Sequence, residues 1–177
     1  MKFLLLSEKP DKDILKFLSQ RGSVNFIKEK IDENTLINYD WIISFGYRHI
    51  LSKQIVSVMK NKIINLHISY LPYNRGADPN YWSFKENTPK GVSIHFIDEG
   101  IDTGSILVQR LCTFSEEDTL KSSYNKLIKY IKELFYENFD KITEGLIIPK
   151  PQLGKGTFHK KTDLKEKINY NIKISKI

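Results

Sequence analysis

Two short segments gather the side chains of this chain that suit proton transfer and charge stabilisation. One is Ile64-Asn65-Leu66-His67-Ile68-Ser69-Tyr70-Leu71-Pro72-Tyr73-Asn74-Arg75-Gly76; the other is Ile97-Asp98-Glu99-Gly100-Ile101-Asp102-Thr103-Gly104. Each follows an apolar run of strand character. Asn65 and His67 stand two apart at the end of such a run, and the two-residue period of a strand turns both to one face. An amide there can donate to a developing oxyanion. An imidazole, with an ordinary pKa of ~6.5, can take or give a proton near neutral pH. Pro72 stiffens the loop that follows and Gly76 lets it bend. In the second segment Asp98, Glu99 and Asp102 crowd a loop whose glycines, Gly100 and Gly104, let backbone groups approach a ligand closely. A carboxylate from this loop can fix and polarise His67, as the orienting acid of a triad does. The same residue types have structural uses. Asn, Asp and Gly favour turns, and His49, His95 and His159 read as structural histidines.

Bringing positions 65, 67 and 102 together requires strands that feed loops at one end of a sheet. Apolar runs at Lys2–Leu6, Val24–Ile27, Trp41–Phe45, Ile63–Leu66, Val92–Phe96 and Ser105–Phe114 read as strands. Between them Pro10–Gln20, Ser52–Lys60 and Asp78–Glu86 read as helices. A long helix is the clearest element. Leu120, Tyr124, Leu127, Ile128, Ile131, Leu134 and Phe135 recur at three- and four-residue steps, Ser115 and Asp118 offer caps, and Gly145 ends it. This alternation predicts an α/β domain, a mainly parallel sheet flanked by helices, with functional groups at the carboxyl ends of strands. The domain is expected over residues 1–145. Residues 146–177 form a C-terminal extension, either packed on the domain or engaged in a homodimer contact. Within it Leu146–Ile148 is a candidate to extend the sheet, and the alternation of Ile168, Tyr170, Ile172 and Ile174 fits a late strand.

Composition narrows the function classes. The chain has 177 residues, 40% hydrophobic and 28% charged, as in a globular domain. No stretch approaches the ~18 apolar residues of a membrane span. The opening MKFLLLSEKPDKD ends its short apolar run in charge, unlike a signal peptide, and reads as a buried strand. Cys112 is the lone cysteine, so no internal disulfide or cysteine metal cluster can form, and a cytoplasmic location is expected. The net charge of +7 sits mainly in the last third, where a charged helix and tail are solvated; the segment Lys155–Lys167 is basic but interrupted by acids. Neither nucleic acid nor membrane is expected as a partner.

The run NLHISYLPYNRG followed by GVSIHFIDEGIDTGSIL resembles the signature of formyltransferases that use 10-formyltetrahydrofolate, a group acting on glycinamide ribonucleotide, methionyl-tRNA or sugar nucleotides. Asn-x-His-x-Ser-x-Leu-Pro followed by Asp-x-Gly is specific as a combination, and the similarity is strongest over Trp41–Arg110. The resemblance implies a Rossmann-like formyltransferase fold and a catalytic set that falls on Asn65, His67 and Asp102. It implies that the pterin of the formyl donor lies between Tyr47-Arg48-His49-Ile50-Leu51 and Asp98-Glu99-Gly100-Ile101. Tyr73, Arg75, Asp78 and Tyr81 are candidates to shape the acceptor pocket. Arg75 is either a partner for a phosphate or an exposed loop arginine. Departures from the family's subgroups narrow the acceptor. Ser7-Glu8-Lys9-Pro10-Asp11 lacks the glycine-rich nest expected for a ribonucleotide phosphate. The stretch after Gly145 is too short for the β-barrel of the tRNA enzymes. Leu-Pro-x-x-Arg-Gly and Asp-Pro-Asn-Tyr-Trp resemble the sugar-nucleotide enzymes most, so a nucleotide-linked amino sugar is the expected small-molecule acceptor. No metal is required, because a formyl carbon is already electrophilic. The alternatives are a formyltetrahydrofolate hydrolase, which usually carries an additional N-terminal domain, a glycinamide ribonucleotide-type enzyme, and a non-catalytic folate-binding module.

Overall fold

A computed structural model describes residues 1–36 and 39–177. In chain order the strands are β1 (Lys2–Leu6), β2 (Ser23–Ile27), β3 (Trp41–Ser44), β4 (Ile63–His67), β5 (Arg75–Gly76), β6 (Gly91–Phe96), β7 (Ile106–Leu111) and β8 (Phe158–His159). The helices are α1 (Lys12–Ser19), α2 (Lys53–Val58), α3 (Pro79–Lys85) and α4 (Leu120–Thr143). Six strands form the main sheet in the order β2-β1-β3-β4-β6-β7. The first four are parallel, while β6 runs antiparallel to β4 and β7 antiparallel to β6. Strands β5 and β8 make a separate two-residue parallel ladder.

The apolar strand runs are explained by burial on both faces. Phe3 and Leu5 pack with Ile43, Ile64, Val92 and the α1 and α4 side chains, while Leu4 and Leu6 pack with Ile42, Ile63, Ile55 and Leu36 on the opposite side. Helix α1 starts where the Asp11 carboxylate accepts the N–H groups of Asp13 and Ile14, and it buries Ile14 and Leu18 one turn apart. Helix α4 spans the sheet with Leu127, Ile131, Leu134, Phe135, Phe139 and Ile142 inward. Its cap is Thr119, in a reciprocal box with Ser122. Asp118, expected as a cap from sequence, instead accepts from Ser115 N and Ser122 Oγ. Gly145, at φ +72°, closes the helix end.

Three expectations fail in the later chain. The strand foreseen at Ser105–Phe114 is only Ile106–Leu111, because its partner β6 begins at Gly91, opposite Leu111. The late strand at Ile168–Ile177 does not form. There the backbone carbonyls of Tyr170 and Ile172 accept from Lys121 N and Leu120 N, two N–H groups at the start of α4 that lack intrahelical partners. Capping a helix uses the acceptors that a sheet would have needed. Leu146–Ile148 is likewise not a strand; only Lys150 beyond it bridges to Ile106. No helix among the described residues is long and apolar enough to cross a membrane.

Candidate active site

Strand alternation builds the site. Ile64, Leu66, Val92 and Ile94 face the α4 side. Asn65, His67, Ser93 and His95 therefore turn to the other face, and the β4–β6 register sets Asn65 opposite His95. The loop leaving β6 folds back so that Asp102 meets them. Its Oδ1 accepts from Asn65 Nδ2 at 3.1 Å and its Oδ2 from the Gly76 backbone N–H at 2.8 Å. His67 Nδ1 lies 3.7 Å from Oδ2, and His95 Nε2 lies 3.5 Å from Oδ1. Asp102 holds a left-handed φ of +54°, which a short polar residue tolerates better than most. Asp98 is spent on its own loop, where Oδ1 accepts from Gly100 N and Thr103 Oγ1.

The hydrogen bonds assign the protons. His67 Nε2 is 3.2 Å from the Asn74 carbonyl oxygen, which can only accept, so Nε2 carries the hydrogen and Nδ1 is the free lone pair facing Asp102. His95 Nδ1 is 2.7 Å from the Phe96 carbonyl and is protonated for the same reason. That leaves His95 Nε2 as an acceptor 3.3 Å from Asn65 Nδ2. The Asn65 NH2 group thus faces two acceptors, which fixes its amide orientation. Burial pushes the pKa of His67 below its ordinary value; His95 adds to this and Asp102 only partly opposes it. Burial alone would raise the Asp102 carboxyl, but attraction to His67 and His95 in their charged forms, together with the Gly76 N–H, outweighs it and holds the carboxyl well below the usual carboxylate range. The resting pair is a neutral imidazole beside a carboxylate anion.

These groups sit where two lobes of one cleft meet, of about 650 and 660 Å³, sharing Gly46, Tyr47, Arg48, Asn65, Gly76, Asp102 and Tyr124. Tyr47, Arg48, His49, Ile50 and Leu51 line one lobe together with Asp98, Glu99, Gly100, Ile101 and Asp78. His67 faces the other lobe, walled by the Ser7–Asp11 loop, Phe45, Pro79, Tyr124, Asn125 and Ile128. Tyr73, Arg75 and Tyr81 line neither lobe. Arg75 is turned away from the cleft, where its Nε and Nη2 donate to Gln152 Oε1 at 2.9 and 2.6 Å. Tyr81 borders a separate pocket of about 120 Å³ with Tyr124 and Tyr170. Sequence reasoning passed over His95, Tyr124, Asn125, Gln152 and Lys161. For His95 the strand period carried a signal, but its meaning depended on a register with β4. For Tyr124 the apolar stripe of α4 pointed to the core, and only the packed helix shows its start extending past the core into the cleft. Among the described residues no group of three or more His, Cys, Asp or Glu is arranged to hold a metal ion.

Residues 5–138 match the family described as Formyl transferase. The chain belongs to that family. It is similar to the formyltransferase PseJ from Anoxybacillus kamchatkensis, solved in complex with UDP-4,6-dideoxy-4-formamido-L-AltNAc and tetrahydrofolate. The two are 44% identical, the match covers 99% of this chain and 97% of that one, and the TM-score is 0.93. The Methionyl-tRNA formyltransferase of Thermodesulfovibrio yellowstonii is 36% identical over 197 residues, covering 99% of this chain and 63% of that protein. The dTDP-4-amino-4,6-dideoxyglucose formyltransferase of Mycobacterium bovis is 31% identical over 128 residues, 72% of this chain and 54% of that protein. This chain therefore spans less than two thirds of these two curated relatives but nearly all of the PseJ chain. The architecture is the mainly parallel α/β domain expected from the strand–helix alternation and the formyltransferase fold that the resemblance implied.

Proposed function

We propose that the chain is an N-formyltransferase that moves the formyl group of 10-formyltetrahydrofolate to the primary amine of a nucleotide-linked amino sugar, of the UDP-4-amino-4,6-dideoxy class. The observation that carries this reading is the likeness to PseJ at 44% identity over nearly the full length of both chains. The donor lobe fits a flat heteroaromatic ring. It offers apolar Ile50, Leu51, Ile97 and Ile101 beside the backbone of Gly100, and Ile50 and Ile101 stay 73% and 43% exposed when nothing covers them. When bound, 10-formyltetrahydrofolate supplies an electrophilic formyl carbon and an amine that can leave once protonated. The acceptor lobe would take the sugar, with Tyr124 and Asn125 offering polar contacts and Lys9 a cation for the diphosphate.

His67 is the proton acceptor in this reading. An amine must lose a proton to complete its attack, and burial keeps the imidazole neutral with its Nδ1 lone pair free. A proton taken at Nδ1 meets the Asp102 carboxylate 3.7 Å away, so the charged ring gains a partner as it forms and can give the same proton up to the departing amine, which returns His67 to its neutral state. Asn65 is the oxyanion donor. To serve, it redirects one N–H from Asp102 or His95 toward the developing charge, and such a donor is worth ~3 kcal/mol. Asp102 has a second role, because its two oxygens hold both the Asn65 amide and the Gly76 loop in place.

The test is purified protein incubated with 10-formyltetrahydrofolate and a series of UDP- and dTDP-linked amino sugars, read by a mass gain of one formyl group. His67→Ala, Asn65→Ala and Asp102→Ala should each depress turnover. Wild-type turnover in the His67 variant would exclude the assignment.

A further inference from the structure

The stretch after the last strand of the main sheet reaches both members of the His67–Asp102 pair. Gln152 Nε2 donates to the carbonyl oxygens of Asp102 and Gly104, each at 2.8 Å. Both of its amide hydrogens are therefore spent on the turn that presents Asp102, while Arg75 holds its Oε1 from the other side. Five residues on, Thr157 Oγ1 accepts from Asn74 N at 2.8 Å and donates to Asn74 Oδ1 at 3.3 Å. Asn74 is fully buried, has a left-handed φ of +54°, and its carbonyl is the acceptor for His67 Nε2 at 3.2 Å. Directly after the second anchor the β5–β8 ladder pairs Phe158 and His159 with Arg75 and Gly76, whose N–H holds Asp102 Oδ2. Asp102 and Asn74 both hold left-handed backbone, which Asp and Asn tolerate better than other non-glycine residues but which their neighbours must still select. Gln152 and Thr157 are those neighbours. Neither touches the cleft, and both lie outside the span 5–138 that matches the family.

We propose that residues 150–160 are a positioning strap for the catalytic trio, with Gln152 setting the Asp102 turn and Thr157, through Asn74, setting the tautomer of His67. This rests on the function assigned above. The physical consequence is specific. With Nε2–H committed to the Asn74 carbonyl, only Nδ1 can receive a proton, and Nδ1 is the nitrogen that faces Asp102. If the Asn74 carbonyl drifts, the ring is free to place its hydrogen on Nδ1, toward the carboxylate, and its lone pair on the side away from Asp102. That tautomer cannot accept a proton at the Asp102 side.

The experiment compares Thr157→Val, Thr157→Ser and Gln152→Glu with wild type in two measurements. The first is 15N–1H NMR of the imidazoles in protein free of substrate. Wild type and Thr157→Ser should show His67 as the Nε2–H tautomer, and Thr157→Val should show a mixture. The second is steady-state formyl transfer. Misplacing a reacting group by about 1 Å costs on the order of 100-fold, so kcat should fall by about that factor in Thr157→Val and Gln152→Glu, with KM for both substrates within about threefold. Thr157→Ser should recover most of the loss. Folded variants with kcat near wild type, or an unchanged His67 tautomer in Thr157→Val, would overturn the strap. If Thr157→Val does not fold, Gln152→Glu decides by the same kcat criterion. A wild-type protein that formylates no amine would sink the functional reading, and the NMR comparison would still decide the positioning claim.

Discussion

Replacing Asp102 by Asn removes the charge beside His67 while keeping the shape, and the geometry says how much that should matter. His67 Nδ1 and Asp102 Oδ2 are 3.7 Å apart, and their side chains are only 8% and 13% exposed, so solvent screens little of the attraction. At an effective dielectric of ~20, unit charges at that separation attract by about 4.5 kcal/mol. That loss lowers the pKa of His67 further below its already depressed value. The transition state carries only part of a full positive charge on the ring, so kcat should drop by about 10²- to 10³-fold. A smaller structural cost adds to this. Both carboxylate oxygens accept N–H groups, from Asn65 and Gly76, so an amide at 102 must turn its own NH2 against one of those donors. The assay pairs a formyl-transfer profile over pH ~5 to ~9 with an NMR titration of the His67 Cε1 proton. A His67 pKa that moves by less than about half a unit would refute the electrostatic reasoning, even if the rate fell, since the carboxylate would then act only by holding its neighbours.

Three further outcomes follow from the packing and the titrations. His67 has a folded pKa below its unfolded value of ~6.5, so as pH falls through ~6.5 the unfolded chain binds a proton that the folded chain resists, and stability declines. Urea midpoints at pH ~7 and ~5 should therefore differ more for wild type than for His67→Gln, and equal losses would contradict the assignment. Phe135 is wholly buried among Phe17, Tyr136 and Phe139, so Phe135→Ala should cost ~3–5 kcal/mol in chemical denaturation, and a loss under ~1 kcal/mol would mean that α4 does not pack on the sheet as described. Buried Asn80 donates to the Leu120 carbonyl at 3.0 Å and exchanges hydrogen bonds with Ser123 Oγ, so Asn80→Leu should destabilise by ~1–3 kcal/mol by leaving the Ser123 hydroxyl short of a partner. Thermal melts of Asn80→Leu and of Asn80→Leu/Ser123→Ala check this, since the second change should recover part of the loss.

Much of the frame was legible because its signals are local. Apolar runs buried on two faces read as strands whatever their neighbours, and the stripe on α4 follows from helical period alone. Asn65 and His67 share a face because they are two apart in a strand, and that holds in any sheet. The misreadings share a different cause. Thr119 replaced Asp118 as the helix cap because several adjacent residues can cap and only the emerging backbone chooses among them. The alternation at Ile168–Ile177 was genuine, yet it met the open start of α4 rather than a strand edge. Arg75 has the guanidinium expected of a phosphate ligand, but β5 pairs with β8 and that pairing hands it to Gln152.

From the sequence by itself came the α/β class, the apolar elements and the two loops whose residue types suit proton transfer, because each depends on neighbours a few positions away. Only the tertiary structure decided which groups meet at Asp102: His95 from an antiparallel strand, Gly76 from the far end of the first loop, and Gln152 fifty residues downstream. The reason is register. Hydrogen bonds across such separations exist only once strands have chosen partners and offsets, and no local pattern encodes that choice.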